Sequence, residues 1–299
     1  MKIAQTYRKA VAALLTAYLG CGCLTAAEPQ RTRRGSTTPW RSTFEKVDWL
    51  AEWNPQRHGR FGLDNLSVHE EPGQPIPRFL RAQYYKGGAS PSASRRVGVK
   101  EGGGQMLGTL PDGPVDALYL RYWVRFAPDF DFVKGGKLPG FYGGTMISGG
   151  NIPDGTNGFS TRMMWRTDGM GEVYIYGPTS TKFGTSLGRG SFTFAKGRWH
   201  CVEQRLILNT PSQLDGQVHI WLDEKPVFSD TRLLLRTVGS LKIEGVFFST
   251  FFGGGDPSWA PPRDTYADFA DFATSSKRLG CPGLQTPEQP TSPKAKAGT

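Results

Sequence analysis

The sequence predicts an all-β protein, a β-jelly roll in which two sheets pack as a concanavalin A-like sandwich. Three observations carry that expectation. The 299 residues include 39 Gly and 22 Pro, too many for a helical protein, and these fall between apolar runs as turns do. The runs themselves alternate apolar and polar residues with the two-residue period of strands. No self-similarity at periods of roughly 20 to 50 residues is visible, which argues against a solenoid or a propeller. At this length an all-β sandwich forms one domain.

From the N-terminus, Lys2, Arg8 and Lys9 give a basic start and Ala10 to Gly20 is a short apolar run. Thr25 and Ala27 are then placed for cleavage before Glu28, so residues 1–27 read as an export signal. The apolar run is too short for a membrane span. Leu19-Gly20-Cys21 offers a lipoprotein anchor at Cys21 as the alternative, although Tyr18 stands where such anchors carry an aliphatic residue. Residues 28–42 read as a polar linker, and 43–51 (TFEKVDWLA) as a short helix. Leu118, Leu120, Tyr122, Val124 and Phe126 alternate with Tyr119, Arg121, Trp123 and Arg125, a strand with one apolar and one amphipathic face. Residues 198–209 and 216–228 read as two strands joined by a turn. The run 243–254 is apolar on both faces and so predicts a covered, central strand, and 266–274 predicts the last strand. Residues 283–299 have the composition of a disordered tail, which leaves 43–282 as the domain.

The net charge of +10 predicts an anionic partner, and removal of the signal, which carries three cations and no acid, leaves the chain basic. Nucleic acid is not expected: Arg31, Arg33 and Arg34 form only a short run, and no nucleic-acid motif is present. An anionic polysaccharide fits better, bound by a monomer with no stable membrane span. Past the signal, Cys201 and Cys281 are the remaining cysteines. An oxidising compartment permits a bridge between them, worth roughly 4 to 5 kcal/mol for a loop of about 80 residues. Two cysteines alone do not decide whether it forms. Neither CxxC nor HxxxH spacing occurs, so no metal is expected.

The chemistry concentrates between Lys134 and Pro178. GFSTRMMWR and EVYIYGP form a hairpin around Asp168-Gly169, and one face carries Ser160, Arg162, Arg166, Glu172, Tyr174 and Tyr176. That turn puts Arg162 opposite or diagonal to the tyrosines, about 5 to 8 Å away at Cβ. A glycine loop with Lys134 and Lys137 precedes them. Cations beside phenols suit β-elimination on a polyuronate, which needs a neutralised carboxylate, a base for the C5 proton and an acid for the departing O4. Tyrosine fills the last two roles if close cations lower its pKa from roughly 10, which for three units takes about 4 kcal/mol. Tyr-x-Tyr on a strand also serves packing, and His200, His219 and Trp221 carry no assigned role. Glu172, Glu203 and Asp223 are the isolated carboxylates a glycoside hydrolase would have to pair. GTSLG at 184–188 has the GxSxG spacing, but no helical pattern follows it, so no nucleophile elbow supports a serine hydrolase.

KGGKLPGFYGG, GFSTRMMWR, EVYIYGP, GRWHCVEQRLILN and FFSTFFGGGDPSWAPPRDTYADFADF together resemble polysaccharide lyase family 14, over roughly residues 115 to 275. The resemblance implies a β-jelly roll that needs no organic cofactor and cleaves alginate or glucuronan by β-elimination. It also implies that Lys137, Ser160, Arg162, Tyr174 and Tyr176 are catalytic. Lys134, Arg166 and Arg189 are added as substrate-binding candidates from charge and location. The expected protein is a secreted uronan lyase; the alternative is a lectin-like module that binds acidic polysaccharide without cutting it.

Overall fold

Alternating side chains split the chain between two antiparallel sheets, and the site lies on the face of one sheet that points away from the core between them. The computed structural model describes residues 40–145 and 147–283. The expected export signal, most of the linker and nearly all of the tail lie outside them. The strands in chain order are β1 (Trp40–Ser42), β2 (Leu66–Glu70), β3 (Arg78–Tyr84), β4 (Gly104–Thr109), β5 (Ala117–Phe126), β6 (Gly135–Gly144) and β7 (Gly158–Arg166). Then come β8 (Gly171–Tyr176), β9 (Thr185–Leu187), β10 (Trp199–Ile207), β11 (Gly216–Leu222), β12 (Lys225–Leu233), β13 (Gly245–Phe252) and β14 (Thr265–Ser275). One sheet runs β12-β11-β10-β5-β14-β3-β2, with β1 added on β14; the other runs β4-β13-β6-β7-β8-β9. This is the jelly-roll sandwich that the sequence predicts.

Leu118, Leu120, Tyr122, Val124 and Phe126 of β5 all enter the core between the sheets. They meet Phe159, Met163 and Trp165 of β7, and Val246, Phe248 and Phe252 of β13. Both faces of β13 are buried, as an apolar run without alternation requires. A second small cluster forms around Cys201 and Cys281, which are bonded across 80 residues.

Five local expectations change. The glycine loop expected to carry Lys134 and Lys137 is strand from Gly135 on, so Lys137 sits within β6 and only Lys134 precedes it. Of residues 43–51 only the end is helical, in the turn α1 (Trp49–Glu52) capped by Asp48, because Phe44 is drawn fully into the core against Phe272. Trp40–Ser42, expected as linker, pair with Thr274–Phe272, and Trp40 packs edge-on against Trp53. Residues 216–228 are two strands rather than one: Asp223 and Glu224 both adopt positive φ (50° and 70°), the conformation of a tight hairpin turn. A helix α2 (Pro91–Val97) was not expected; Ser90 caps it with Pro91 in its first turn, and Gly98 ends it at φ 68°. At seven residues it is too short to show a helical period.

Candidate active site

The strand register assembles the cluster on the outer face of the six-stranded sheet. Arg162 stands directly opposite Tyr174 and Ser160 opposite Tyr176, while Met164 faces Lys137 on one side and Glu172 on the other. The hairpin closes through a short turn in which Asp168 takes φ 58° and Gly169 φ 77°. Pro139 breaks the β6–β7 ladder, where pairing jumps from Leu138↔Met163 to Gly140↔Arg162. Gly140 lies so close under the backbone of Thr161 and Arg162 that a Cβ there would collide with both. Lys137 pairs with Met164, which strand alternation puts on the same face as Arg162, so the two cations share that face.

Lys137 is only 8% exposed. Its Nζ lies 2.8 Å from Met164 Sδ and 3.5 Å above the centre of the Tyr174 ring. It forms no salt bridge with any described residue. Burial lowers its pKa well below the ordinary lysine value, the nearby Arg162 and Arg166 add to this, and Glu172 opposes it. Arg162 is 2% exposed, donates from Nη1 to Ser249 Oγ at 3.1 Å and lies 4.5 Å from the Phe247 ring centre. Ser249 in turn donates to Gln105 Oε1 at 2.9 Å. Burial brings Arg162 down to about 10, so it stays cationic at neutral pH.

Tyr174 and Tyr176 meet edge to face, 5.7 Å between ring centres. Burial, with the neighbouring Tyr176, pushes Tyr174 up to about 12 against the pull of Arg162 and Arg166. The expected lowering of this phenol by close cations is therefore reversed: loss of water outweighs the charges. Ser160 is fully buried, and its hydroxyl donates to the Ile147 carbonyl at 2.6 Å. It thereby ties down the loop whose Ile152 packs on Met164, Tyr174 and Tyr176.

Glu172 is fully buried and accepts from Arg166 Nη2 at 2.5 Å, Arg189 Nε at 2.7 Å and Ser186 Oγ at 3.0 Å. Burial alone would raise its pKa, but the two arginines hold it below the ordinary carboxylate range. Arg189 remains half exposed at the β9 edge. Lys134 is exposed and donates to Ser258 Oγ at 2.6 Å.

The other candidates lie elsewhere. His200, on β10, is held between the Ala195 N–H and Asp223, and His219 and Trp221 share β11. Glu203 accepts the Leu279 and Gly280 N–H groups near the disulfide. Glu203 and Asp223 lie on the eight-stranded side, so neither is placed to pair with Glu172 for hydrolysis. A hollow of about 320 Å³ lined by Asp131, Val133, Asp168 and Lys196 is also separate from the cluster. The sequence reading missed Gln105, Phe247 and Ser249. The alternation of VFFSTFF places Phe247 and Ser249 on one face, but its uniformly apolar character hides which face is open.

A jelly roll whose outer sheet face gathers buried cations around phenols defines a carbohydrate-active protein for acidic polymers. Residues 74–272 match the family described as Polysaccharide lyase 14, and the chain belongs to that family; it is a polysaccharide lyase. The marine family 14 alginate lyase of Aplysia kurodai is 31% identical over 80% of this chain and 98% of its own, with a TM-score of 0.69. An alginate lyase from a Chlorella virus is 24% identical, covering 70% of this chain and 88% of its own, with a TM-score of 0.61. The endo-β-1,4-glucuronan lyase of the fungus Trichoderma reesei is 11% identical, covering 81% and 95%, with a TM-score of 0.53. The last two bear on the fold alone. None of the curated protein sequences matches the chain.

Proposed function

We propose that the enzyme cleaves alginate or glucuronan by β-elimination, with Lys137 as base and Tyr174 as acid. The observation that carries this assignment is a buried amine, without a carboxylate partner, lying over a phenol and beside two guanidinium groups. An amine with a depressed pKa is free to accept a proton near neutrality, whereas a phenol at about 12 holds its proton until one is demanded. Arg162 stabilises the charge that builds on the uronate carboxylate. Lys137 Nζ takes the C5 proton; the released electron pair forms the C4=C5 double bond as the C4–O4 bond breaks. O4 leaves with the phenolic proton of Tyr174, and solvent returns both groups to their starting states. Tyr176 packs against Tyr174, and Ser160 anchors the overlying loop.

Incubation with alginate, polymannuronate, polyguluronate and glucuronan, read as near-ultraviolet absorbance of unsaturated ends, tests this. At least one polymer should give a rising signal. Tight binding without absorbance would mean a lectin-like module and end the proposal.

We infer also that the protein is exported. The basic and apolar composition of residues 1–27 supports this, as does the Cys201–Cys281 bond, which needs an oxidising compartment. N-terminal sequencing of the mature protein should begin at Glu28. Recovery from membranes with lipid on Cys21 would replace the secreted form by an anchored one.

A further inference from the structure

We infer that Trp259 is the stacking wall of an outer uronate subsite beside the reacting position, with Lys134 and Arg166 as its cations. This rests on the uronan reading above. Past Phe252 the chain runs Gly253-Gly254-Gly255, with the Gly253 N–H donating to the Gly135 carbonyl at 3.0 Å. A Cβ on Gly253 would come within 3.5 Å of Met164 Cε and 3.9 Å of Lys137 Cε. Gly254, at φ +110°, has the Trp259 indole in the space any Cβ would need. A single thickness of bare backbone therefore separates the proposed base from this ring.

The ring is held in place from outside. Asp256 accepts the Ser258 N–H at 2.9 Å to form the turn Pro257–Trp259, and Lys134 Nζ holds Ser258 Oγ. A side chain present only to cover Gly254 could be buried and aliphatic. Trp259 is instead half-buried. Its ring centre lies 5.7 Å from the Arg166 guanidinium carbon, and Arg166 Nε has no partner among the described residues. A flat apolar ring suits the C–H face of a pyranose, and cations on either side suit its carboxylate. Such a wall would bind the sugar unit next to the one that loses its proton.

The test compares Trp259→Ala and Trp259→Phe with the wild type on the preferred polyuronate. Trp259→Ala should raise KM about ten-fold, the equivalent of about 1.4 kcal/mol, with kcat changed less than about three-fold. Trp259→Phe should recover most of that loss. An unchanged KM overturns the inference, as does a fall in kcat that tracks a fall in melting temperature, because the ring would then be structural. Calorimetry with a uronate oligosaccharide separates this idea from the lyase reading. If the wild type binds but cuts nothing, the mechanism fails, and weaker binding by Trp259→Ala still supports the subsite.

Discussion

Replacing Lys137 with methionine should separate activity from stability. The side chain is unbranched and of similar length, and the space it occupies already contains Met164 Sδ and the Tyr174 ring. The wild-type fold must either bury an ammonium near Arg162 and Arg166 or strip it of its proton. Exchanging buried ionic groups for hydrophobic ones of similar volume is often neutral or stabilising by about 1 to 4 kcal/mol. In a domain of this size each kcal/mol moves the melting temperature by roughly 2 to 4 °C. Because the folded pKa lies below the unfolded value near 10.4, the folded chain binds fewer protons between the two. Wild-type stability therefore rises with pH across that window, and the penalty is fully present below the folded pKa. Lys137→Met has no such proton, so its advantage should be largest at low pH and shrink as pH rises. Turnover should fall by about 10² to 10⁴-fold with loss of the base. Thermal melts at several pH values, paired with the absorbance assay, read both effects. A variant that melts lower at every pH and still cuts polymer refutes the reasoning on both counts.

Tyr174→Phe keeps the ring beneath Lys137 and should cut turnover by about 10² to 10⁴-fold while polymer binding persists; Tyr176→Phe should be milder, and full activity in Tyr174→Phe rejects its role as acid. Glu172→Gln leaves Arg166 and Arg189 without their carboxylate and should destabilise by up to about 3 to 5 kcal/mol in chemical denaturation. The folded pKa of Glu172 is depressed, so its contribution is present above the unfolded value near 4.3 and is lost as pH falls through the folded one. The gap between wild type and Glu172→Gln should accordingly narrow in acid, and a constant gap contradicts the ion-pair account. Reducing Cys201–Cys281, which spans 80 residues, should cost at most about 4.5 kcal/mol; an unmoved denaturant midpoint would mean the bond adds nothing.

Strand patterning was legible because one face of each strand had to be buried. The alternation in ALYLRYWVRF and GFSTRMMWR leaves a single way to sort core from surface, and the Asp168-Gly169 turn then fixes which residues face each other. That is why Arg162 opposite Tyr174 could be anticipated. Where pattern gives no period, the reading failed. The seven-residue helix at Pro91 is one such case, and the Asp223-Glu224 turn lacks the glycine that usually signals a hairpin. Long-range partners were also invisible: Ser249 and Gln105 support Arg162 from 87 residues downstream and 57 upstream, through strand order that no local pattern encodes.

The tyrosine pKa runs against the charge pattern for a related reason. From sequence, arginines opposite phenols suggest a field that draws protons away, since the charges are countable and the depth of burial is not. In the folded protein the cations and phenols are removed from water together, and each group then prefers its neutral form. Tyr174 accordingly holds its proton more tightly, while Lys137 gives its own up more readily. Arg162 is buried as deeply but remains charged because its ordinary value is so high. The same dehydration thus favours a protonated phenol and a neutral amine beside a guanidinium that stays charged. In the proposed mechanism the lysine and the tyrosine are the groups that exchange protons, which is the division of labour that β-elimination requires.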